Sequence, residues 1–252
     1  MDDDVLSALS EQQAELAALV DPLDVAGLDT PSRCPGWSVA DVLLHLSQTN
    51  ELAVVSVEGR WEEIRARPGE PLWAGEADDM DSLAGVMVEA ERVDPVTSRS
   101  RWRASAAALE AALAGVDAGA RVRWVAGELA ARTLATTRLT EGWIHTVDVA
   151  VGLGIELAPT GRLWHVARLA WRTVPYALAQ EGLAPAGAVR FDLIAPDGSS
   201  WVFGDDGAPT VITGPALDLC AVAGQRAAAA DTGLRGEGPA AAAVLRLVRT
   251  FA

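Results

Sequence analysis

The stretch RLTEGWIHTVDVA, residues 138–150, decides the fold of this chain. Glu141 and His145 are four residues apart, so on a helix they share one face. The same face continues at offsets of three and four through Thr137, Arg138 and Asp148. Two interpretations are open. The stripe could face solvent, with an ion pair contributing only about 0.2–0.5 kcal/mol, or Glu141 and His145 could be two ligands of one metal ion.

A second helix, predicted over residues 39–57, carries a similar stripe. The turn PSRCPG precedes it, Ser38 is a good N-cap, and Asp41 stands three residues later, close to a capping box. The stripe on this helix consists of Asp41, His45, Gln48 and Thr49. A lone histidine on such a face is most often a partly buried residue with satisfied hydrogen bonds. Taken with Glu141 and His145, however, it completes two imidazoles and a carboxylate, which suit Zn²⁺, Ni²⁺ or Fe²⁺.

Three protein ligands from two helices would form a catalytic type of metal site. They leave at least one coordination position open, and helical bundles commonly build metal sites from facing helices. Further helices are predicted over residues 4–20, 81–91, 97–115 and 125–152, with a Pro/Gly-rich acidic loop over 67–80. The first part of the chain, residues 1–154, is therefore predicted to be a helical bundle with four main helices.

The pattern changes after residue 154. A helix is predicted over 160–181, with Pro175 inside it. Alternation of apolar and polar residues then predicts strands at 189–193, 201–204 and 210–213, followed by helices within 214–228 and 238–251. We expect a mainly α protein, with the bundle at 1–154 and a small α+β domain at 155–252.

Composition excludes several function classes. The net charge of −15 would repel a nucleic-acid backbone. No apolar run approaches the roughly 20 residues of a membrane-spanning helix, and the acidic start MDDDVLSALS does not have the pattern of a signal peptide. We expect a cytoplasmic protein that binds a small-molecule substrate, as a monomer or homodimer. Cys34 and Cys220 are expected to be reduced thiols, with Cys34 serving as a turn residue.

Two motifs together resemble a known family. CPGWSVADVLLHL, residues 34–46, and RLTEGWIHTVDVA, residues 138–150, resemble the mycothiol-dependent maleylpyruvate isomerase family, a branch of the DinB-like four-helix proteins. The family pattern is a Gly-Trp-Ser/Thr-Val turn and a helix with a histidine, then a later Glu-x-x-x-His helix. Residues 189–204 and 210–226 also resemble the small domain that follows the bundle in this family.

The resemblance implies a metal held by His45, Glu141 and His145, most often zinc, with nickel or iron left open. In such proteins the metal activates a thiol, here mycothiol supplied from outside. The thiolate can add to an activated alkene, and rotation with elimination then gives cis–trans isomerisation. Without elimination the product is a thiol conjugate. The implied function is a metal-dependent isomerase or S-transferase acting on a small unsaturated or electrophilic metabolite. All 20 basic residues are arginine, which fits an actinobacterial source.

Two other functions remain open. The site could serve a thiol-independent isomerisation or cyclisation in a biosynthetic pathway, or the bundle could be a non-catalytic ligand-binding DinB-like protein. A metal with exchangeable positions would favour either enzyme over the binding protein.

Several other residues are candidates for supporting roles. Arg138 could clamp a substrate carboxylate near the metal, or pair with Glu141. Asp41 and Asp148 could accept hydrogen bonds from the histidine N–H groups. On the helix 160–181 a basic stripe could hold an anionic substrate or the polar end of the thiol, or could simply be solvated. Its residues are Arg162, His165, Arg168 and Arg172, of which Arg162 and Arg168 are the predicted cofactor-binding residues.

Overall fold

The structure is a computed structural model that describes residues 4–65, 80–125, 127–183 and 187–250. The chain divides into two compact units, Met1–Glu156 and Leu157–Ala252. The predicted loop over 67–80 lies outside the described residues except for its last position, where a helix begins. Mainly helical structure followed by a small sheet confirms the predicted fold class.

The first unit is a four-helix bundle. In chain order its elements are α1 (Val5–Val20), α2 (Val25–Leu28), α3 (Val39–Val57), α4 (Trp61–Arg65), α5 (Met80–Glu91), α6 (Pro95–Ala114), β1 (Arg121–Trp124), β2 (Gly127–Ala130) and α7 (Ala131–Gly152). The four long helices close a ring, because α3 packs on α6 and α7, and α1 packs on the same two helices.

Local sequence signals set where these helices begin. Ser38 and Asp41 form the predicted capping box at the start of α3, each side chain bonding the other residue's backbone N–H. Asp94 caps α6, and Pro95 occupies the first turn, where its missing N–H costs nothing. The predicted starts of α3 and α6 are therefore correct to within about two residues.

The bundle interior has three layers along its length. Apolar clusters fill both ends, one around Leu16, Leu43 and Val149, the other around Leu9 and Leu134. On α1, α3 and α7 a layer of buried polar side chains lies between the two clusters and overlaps their edges in sequence. The layer includes Gln12, His45, Gln48, Asn50, Arg138, Glu141, His145 and Thr146. Because buried polar groups are costly unless they are paired, this layer is where a function is expected.

One helix boundary was predicted wrongly. The helix expected over 125–152 begins at Ala131, and an antiparallel β1–β2 hairpin precedes it, with Trp124 opposite Gly127. Ala, Glu and Leu around this position favour a helix locally. Gly127, however, adopts φ +110°, a conformation outside the helical region, so the chain turns there instead. The predicted end of the helix near Gly152 is confirmed.

The second unit contains α8 (Leu163–Gln180), which includes Pro175. Its other elements are β3 (Val189–Ile194), β4 (Ser200–Phe203), β5 (Thr210–Pro215), α9 (Ala216–Ala223), β6 (Arg235–Glu237) and α10 (Ala241–Leu247). The sheet order is β4-β3-β5-β6, with β3 and β5 parallel. The three predicted strands are present. The fourth, β6, was missed because its three residues are all exposed and show no alternation. No helix among the described residues has the length and apolar character needed to cross a bilayer.

Candidate metal centre

The turn before α3 is hydrogen-bonded to the end of α7. The backbone N–H of Arg33 donates to the carbonyl of Asp148 over 3.0 Å, and the N–H of Ser32 donates to the carbonyl of Trp37 over 2.9 Å. Gly36 adopts φ +78°, which favours glycine at that point of the turn. This fastening brings Cys34 and Trp37 close to the helix that carries the Glu–His motif.

Three side chains from α3 and α7 converge in the polar layer. His45 Nε2 lies 3.1 Å from Glu141 Oε1, and His145 Nε2 lies 3.6 Å from the same oxygen. The imidazole rings are 4.9 Å apart and edge-on to each other. All three residues are only 5–6% exposed. The stripe on α7 therefore faces the bundle interior and not solvent, which removes the first of its two interpretations.

The donor atoms have the spacing of a metal's ligands. Zinc binds nitrogen and carboxylate oxygen at about 2.0–2.2 Å in a tetrahedron, which places neighbouring ligand atoms roughly 3.3–3.6 Å apart. The donor atoms of His45, Glu141 and His145 lie within 4.8 Å of one another, and the two nitrogen–oxygen distances are 3.1 and 3.6 Å. This donor set fits a borderline divalent ion.

Asp148 contacts the ring nitrogen of His145 that faces away from Glu141. The Nδ1 of His145 lies 3.0 Å from Asp148 Oδ2, so the imidazole is held with its Nε2 directed at Glu141. Cys34 approaches the same carboxylate oxygen, its Sγ–H donating over 3.2 Å, and lies 3.8 Å from His145 Nδ1. A metal-binding histidine that donates its second N–H to a carboxylate is a common arrangement. The suggested role of Asp148 therefore has the right geometry.

The parallel suggestion for Asp41 was wrong. One oxygen of this carboxylate accepts from the backbone and hydroxyl of Ser38, and the other pairs with Arg92 Nε over 2.8 Å. Asp41 is thus engaged in capping α3. The Nδ1 of His45 is buried and has no hydrogen-bond partner among the described residues. Spacing along a helix could not distinguish these two aspartates, because the difference lies in what the neighbouring segments provide.

Trp37 covers the cluster from the turn. Its ring centroid is 5.2 Å from that of His45 and 6.5 Å from that of His145. The tryptophan is half-buried, whereas both histidines are buried. Trp37 thus forms an apolar wall beside the two imidazoles.

The electrostatics of the cluster are set by its mutual contacts. Burial lowers the pKa of His45 below its ordinary value, and the charges of His145 and Arg138 act in the same direction. Burial would raise the pKa of Glu141, but hydrogen bonds from His145 and His45 and the charge of Arg138 hold it well below its usual range. For His145, burial opposes the charge, yet hydrogen bonds with Asp148, Cys34 and Glu141 raise its pKa well above the ordinary value. The metal-free cluster therefore pairs an anionic Glu141 with a protonated His145.

Arg138 lies one turn before Glu141 on α7. Its Nη2 is 3.5 Å from Glu141 Oε2, and its guanidinium carbon lies 5.2 Å from the ring centroid of Trp124. Burial lowers the pKa of Arg138, an effect that Glu141 partly offsets. Trp124 was not foreseen as a neighbour, because it lies just before the predicted helix 125–152, on a strand that was not predicted. The alternation in RVRW was the available signal.

Arg162 and Arg168 belong to the second unit. Arg162 immediately precedes α8, and the guanidinium of Arg168 lies 5.5 Å from the ring centroid of Trp164. The expected basic stripe is not uniform, because His165 is buried and Arg172 is exposed. A cofactor-binding role for Arg162 and Arg168 stays a prediction.

The four-helix bundle has the DinB-like fold, and its buried His–Glu–His cluster is a candidate metal site. The profile of the mycothiol maleylpyruvate isomerase N-terminal domain matches residues 9–150, and the chain belongs to that family. This confirms the resemblance seen in the two motifs, and the family is one of enzymes that catalyse an isomerisation.

Relatives and solved structures agree with this assignment. The chain is 32% identical over 248 residues to the Mycobacterium tuberculosis protein Rv0036c (strain H37Rv) and to its counterpart MT0041 (strain CDC 1551), covering 97% of this chain and 93% of each relative. Crystal structures of the mycothiol-dependent maleylpyruvate isomerase and of a histidine-to-alanine mutant of it superpose with a TM-score of 0.60 at 17% identity. These matches cover 94% of this chain and 95% of the other, and at that identity they establish the fold.

Proposed function

We propose that this chain is a metal-dependent, thiol-dependent isomerase whose metal is held by His45, Glu141 and His145. The observation that carries the proposal is the convergence of two imidazole nitrogens and one carboxylate oxygen within 4.8 Å in the buried layer of the bundle. Two nitrogen ligands and one oxygen ligand leave a position for an exogenous group. Membership of an isomerase family supplies the reaction class.

Zinc is the metal we favour, with nickel or iron as alternatives, because imidazole and carboxylate donors suit all three. A divalent ion in this position supplies Lewis acidity, which lowers the pKa of a thiol so that thiolate is present at neutral pH. The residues around the proposed metal position set the orientation of its ligand side chains. Asp148 accepts from His145 Nδ1, and the lone pair of His145 Nε2 is thereby directed toward Glu141 and His45.

The thiol in this proposal comes from outside the chain, as mycothiol. Cys34 is near the cluster, but its sulfur contacts Asp148 and the Nδ1 side of His145, not the Nε2 side where the donor atoms converge. Its thiol is therefore not placed to act at the open position. Arg162 and Arg168 are the residues we propose for the anionic or polar end of the cofactor. Both are cations, Arg162 immediately before α8 and Arg168 within it.

Residues 1–154 would then be the metal-binding domain, and residues 155–252 the accessory α+β domain. We propose a cytoplasmic monomer or homodimer acting on a small-molecule substrate with an activated double bond, maleylpyruvate being the first compound to test. Free thiols at both Cys34 and Cys220 support a reducing compartment.

Cobalt substitution tests the metal and the thiol separately. The protein, loaded with one equivalent of Co²⁺, is titrated with mycothiol and followed by absorption spectroscopy. We expect an intense thiolate-to-cobalt charge-transfer band in the parent protein and none in His45→Ala. Isomerisation of maleylpyruvate is then measured with and without mycothiol. Cobalt binding without any spectral response at saturating mycothiol would reject the thiol-dependent function in favour of the thiol-independent isomerase or cyclase. Failure to bind cobalt at all would favour the non-catalytic binding protein.

A further inference from the structure

Arg138 is a buried cation whose hydrogen bonds are incomplete. Its side chain is only 4% exposed, and Nη2 lies 3.5 Å from Glu141 Oε2. The Nε and Nη1 atoms have no hydrogen-bond partner among the described residues. A guanidinium carries five N–H donors in a rigid fork, and leaving them unmatched in the interior is costly. The site is therefore missing an acceptor.

The fork geometry indicates which acceptor is missing. Nη2 belongs to both forked edges of a guanidinium, one shared with Nε and the other with Nη1. A ligand carboxylate that binds either edge bidentately therefore uses one unpartnered nitrogen together with Nη2. In the metal-free cluster Nη2 faces the negative charge of Glu141. A second carboxylate at this point would be repelled by Glu141.

Metal binding would remove that repulsion. Three charged side chains of the described residues contact one another or a histidine of the cluster, namely Glu141, Asp148 and Arg138. With neutral imidazoles and one divalent ion, their charges sum to one net positive charge, since two negative charges face three positive ones. Until a thiolate occupies the metal, this buried excess charge favours an anion beside it.

Water alone does not meet this requirement. Arg138 adjoins a cavity of about 10 Å³, roughly the space of one water, lined by Gln12, Asn50, Gly142 and Thr146 among others. One water there could accept hydrogen bonds from Arg138, but it is neutral and leaves the positive charge unbalanced. Trp124 packs against the guanidinium, which restricts the plane in which an acceptor can approach.

We propose that Arg138 binds a carboxylate group of the small-molecule ligand, and that this carboxylate site forms only when the His45–Glu141–His145 site holds its metal. The proposal rests on the proposed metal site and adds to it a ligand class and an order of binding. Because binding free energies are reciprocal, a carboxylate must then tighten metal binding by the same factor by which the metal tightens carboxylate binding.

The experiment measures this linkage on the full chain, using acetate as the probe. Co²⁺ affinity is determined by competition with a chelator at constant ionic strength, in saturating acetate and in the same concentration of acetamide. Acetamide has nearly the shape of acetate but no charge. We expect acetate to raise the Co²⁺ affinity about 5- to 150-fold, the usual range for coupled sites, and acetamide to leave it unchanged. Calorimetry of acetate binding to the metal-free and the cobalt-loaded protein should give the same factor.

Two variants locate the carboxylate. Arg138→Lys keeps the charge and loses the fork, so it should retain cobalt binding and lose most of the acetate effect. Arg138→Gln should abolish the effect. Arg103→Gln is the matched control, because Arg103 also lies over a tryptophan ring but is half-exposed on α6 and outside the cluster. It should behave as the parent.

The outcomes separate this inference from the proposed function. If the parent binds no cobalt, the metal site itself is wrong, and the coupled carboxylate site is rejected with it. If cobalt binds but acetate and acetamide act alike, the metal site stands and the carboxylate site is rejected. If acetate tightens cobalt binding equally in the parent and in Arg138→Lys, the acetate contacts the metal without Arg138, and the assignment to Arg138 is wrong.

Discussion

His145 Nδ1 lies 3.0 Å from Asp148 Oδ2, one turn further along α7, and the opposite nitrogen of the same ring faces Glu141. One imidazole thus links a buried carboxylate on one side to the donor cluster on the other. The contact fixes the orientation of the ring, and it also favours the protonated form of His145 in the absence of a metal. Metal affinity, its pH dependence and the packing of α7 are therefore connected, and each can be measured.

The histidines test the stoichiometry. We expect about one divalent ion per chain, and loss of most of it in His45→Ala and in His145→Ala, because two ligands cannot form the three-ligand site. The chain has three histidines, so His165→Gln is the matched control, buried but in the second unit. Metal analysis after dialysis gives the answer. Full occupancy in both alanine variants would show that the metal lies elsewhere.

Glu141 supplies the only negative charge among the three proposed ligands. Glu141→Gln should weaken metal affinity at least about tenfold, comparable to the roughly 10–100-fold effect of residues that support ligands. Turnover should fall even at saturating metal, since the charge on the metal sets the acidity of what it activates. Glu128→Gln, an exposed change of equal charge on β2, is the control. Equal affinity in Glu141→Gln and Glu128→Gln would mean that Glu141 is not a ligand.

The two aspartates should separate metal binding from helix capping. Asp148→Asn should lower metal affinity about 10–100-fold, because it weakens the acceptor for His145 Nδ1. Asp41→Asn should leave metal affinity unchanged and cost roughly 1 kcal/mol of unfolding free energy, because it disrupts the capping box and the pair with Arg92. Metal titration and urea unfolding of both variants are compared. A metal defect in Asp41→Asn as large as that in Asp148→Asn would contradict the assignment.

Metal affinity should depend on pH with a known sign. The pKa of His145 is raised well above its ordinary value, so this residue is protonated in the metal-free protein at neutral pH, whereas the lowered pKa of His45 leaves that ring neutral. A metal must displace the proton from His145. Affinity should therefore fall by about tenfold per pH unit below the raised pKa and level off above it.

The Asp148→Asn variant provides the control for this pH profile. Without the carboxylate the pKa of His145 is less raised, so the fall in affinity should begin at a lower pH. Dissociation constants are measured between about pH 6 and pH 9 in both proteins. An affinity that is independent of pH in the parent protein would contradict the protonated state assigned to His145.

Gly152 tests the packing that holds the site together. An added Cβ would overlap the carbonyl oxygen of Pro31 and lie 2.8 Å from Cα of Ser32, in the turn that fastens to α7. We expect Gly152→Ala to lower the unfolding free energy by about 1–3 kcal/mol, as overpacking does, and to weaken metal binding. Gly142→Ala is the control on the same helix, because its Cβ would meet only Gln12 Cγ at 3.6 Å. It should be neutral or stabilising by up to about 1 kcal/mol.

The sequence by itself determined the long helices except for the start of α7, together with the class of fold and the family. Capping residues, helical periodicity and the change to alternation after residue 154 are local signals, read within one or two turns of the chain. They predicted α3, α6, the end of α7 and three of the strands. Spacing also placed Glu141 and His145 on one face, since that follows from helix geometry alone.

Only the tertiary structure decided which polar residues form the site. Asp41 and Asp148 look alike in sequence, yet Asp41 pairs with Arg92 and Asp148 with His145. Arg138 and Trp124 meet because the chain forms a hairpin before α7, with Gly127 at a positive φ, where the predicted helix would have begun. These contacts join residues distant in sequence, and each depends on which neighbour reaches a buried polar group. Burial makes such a partner energetically necessary, but only the packing of the helices determines which side chain provides it.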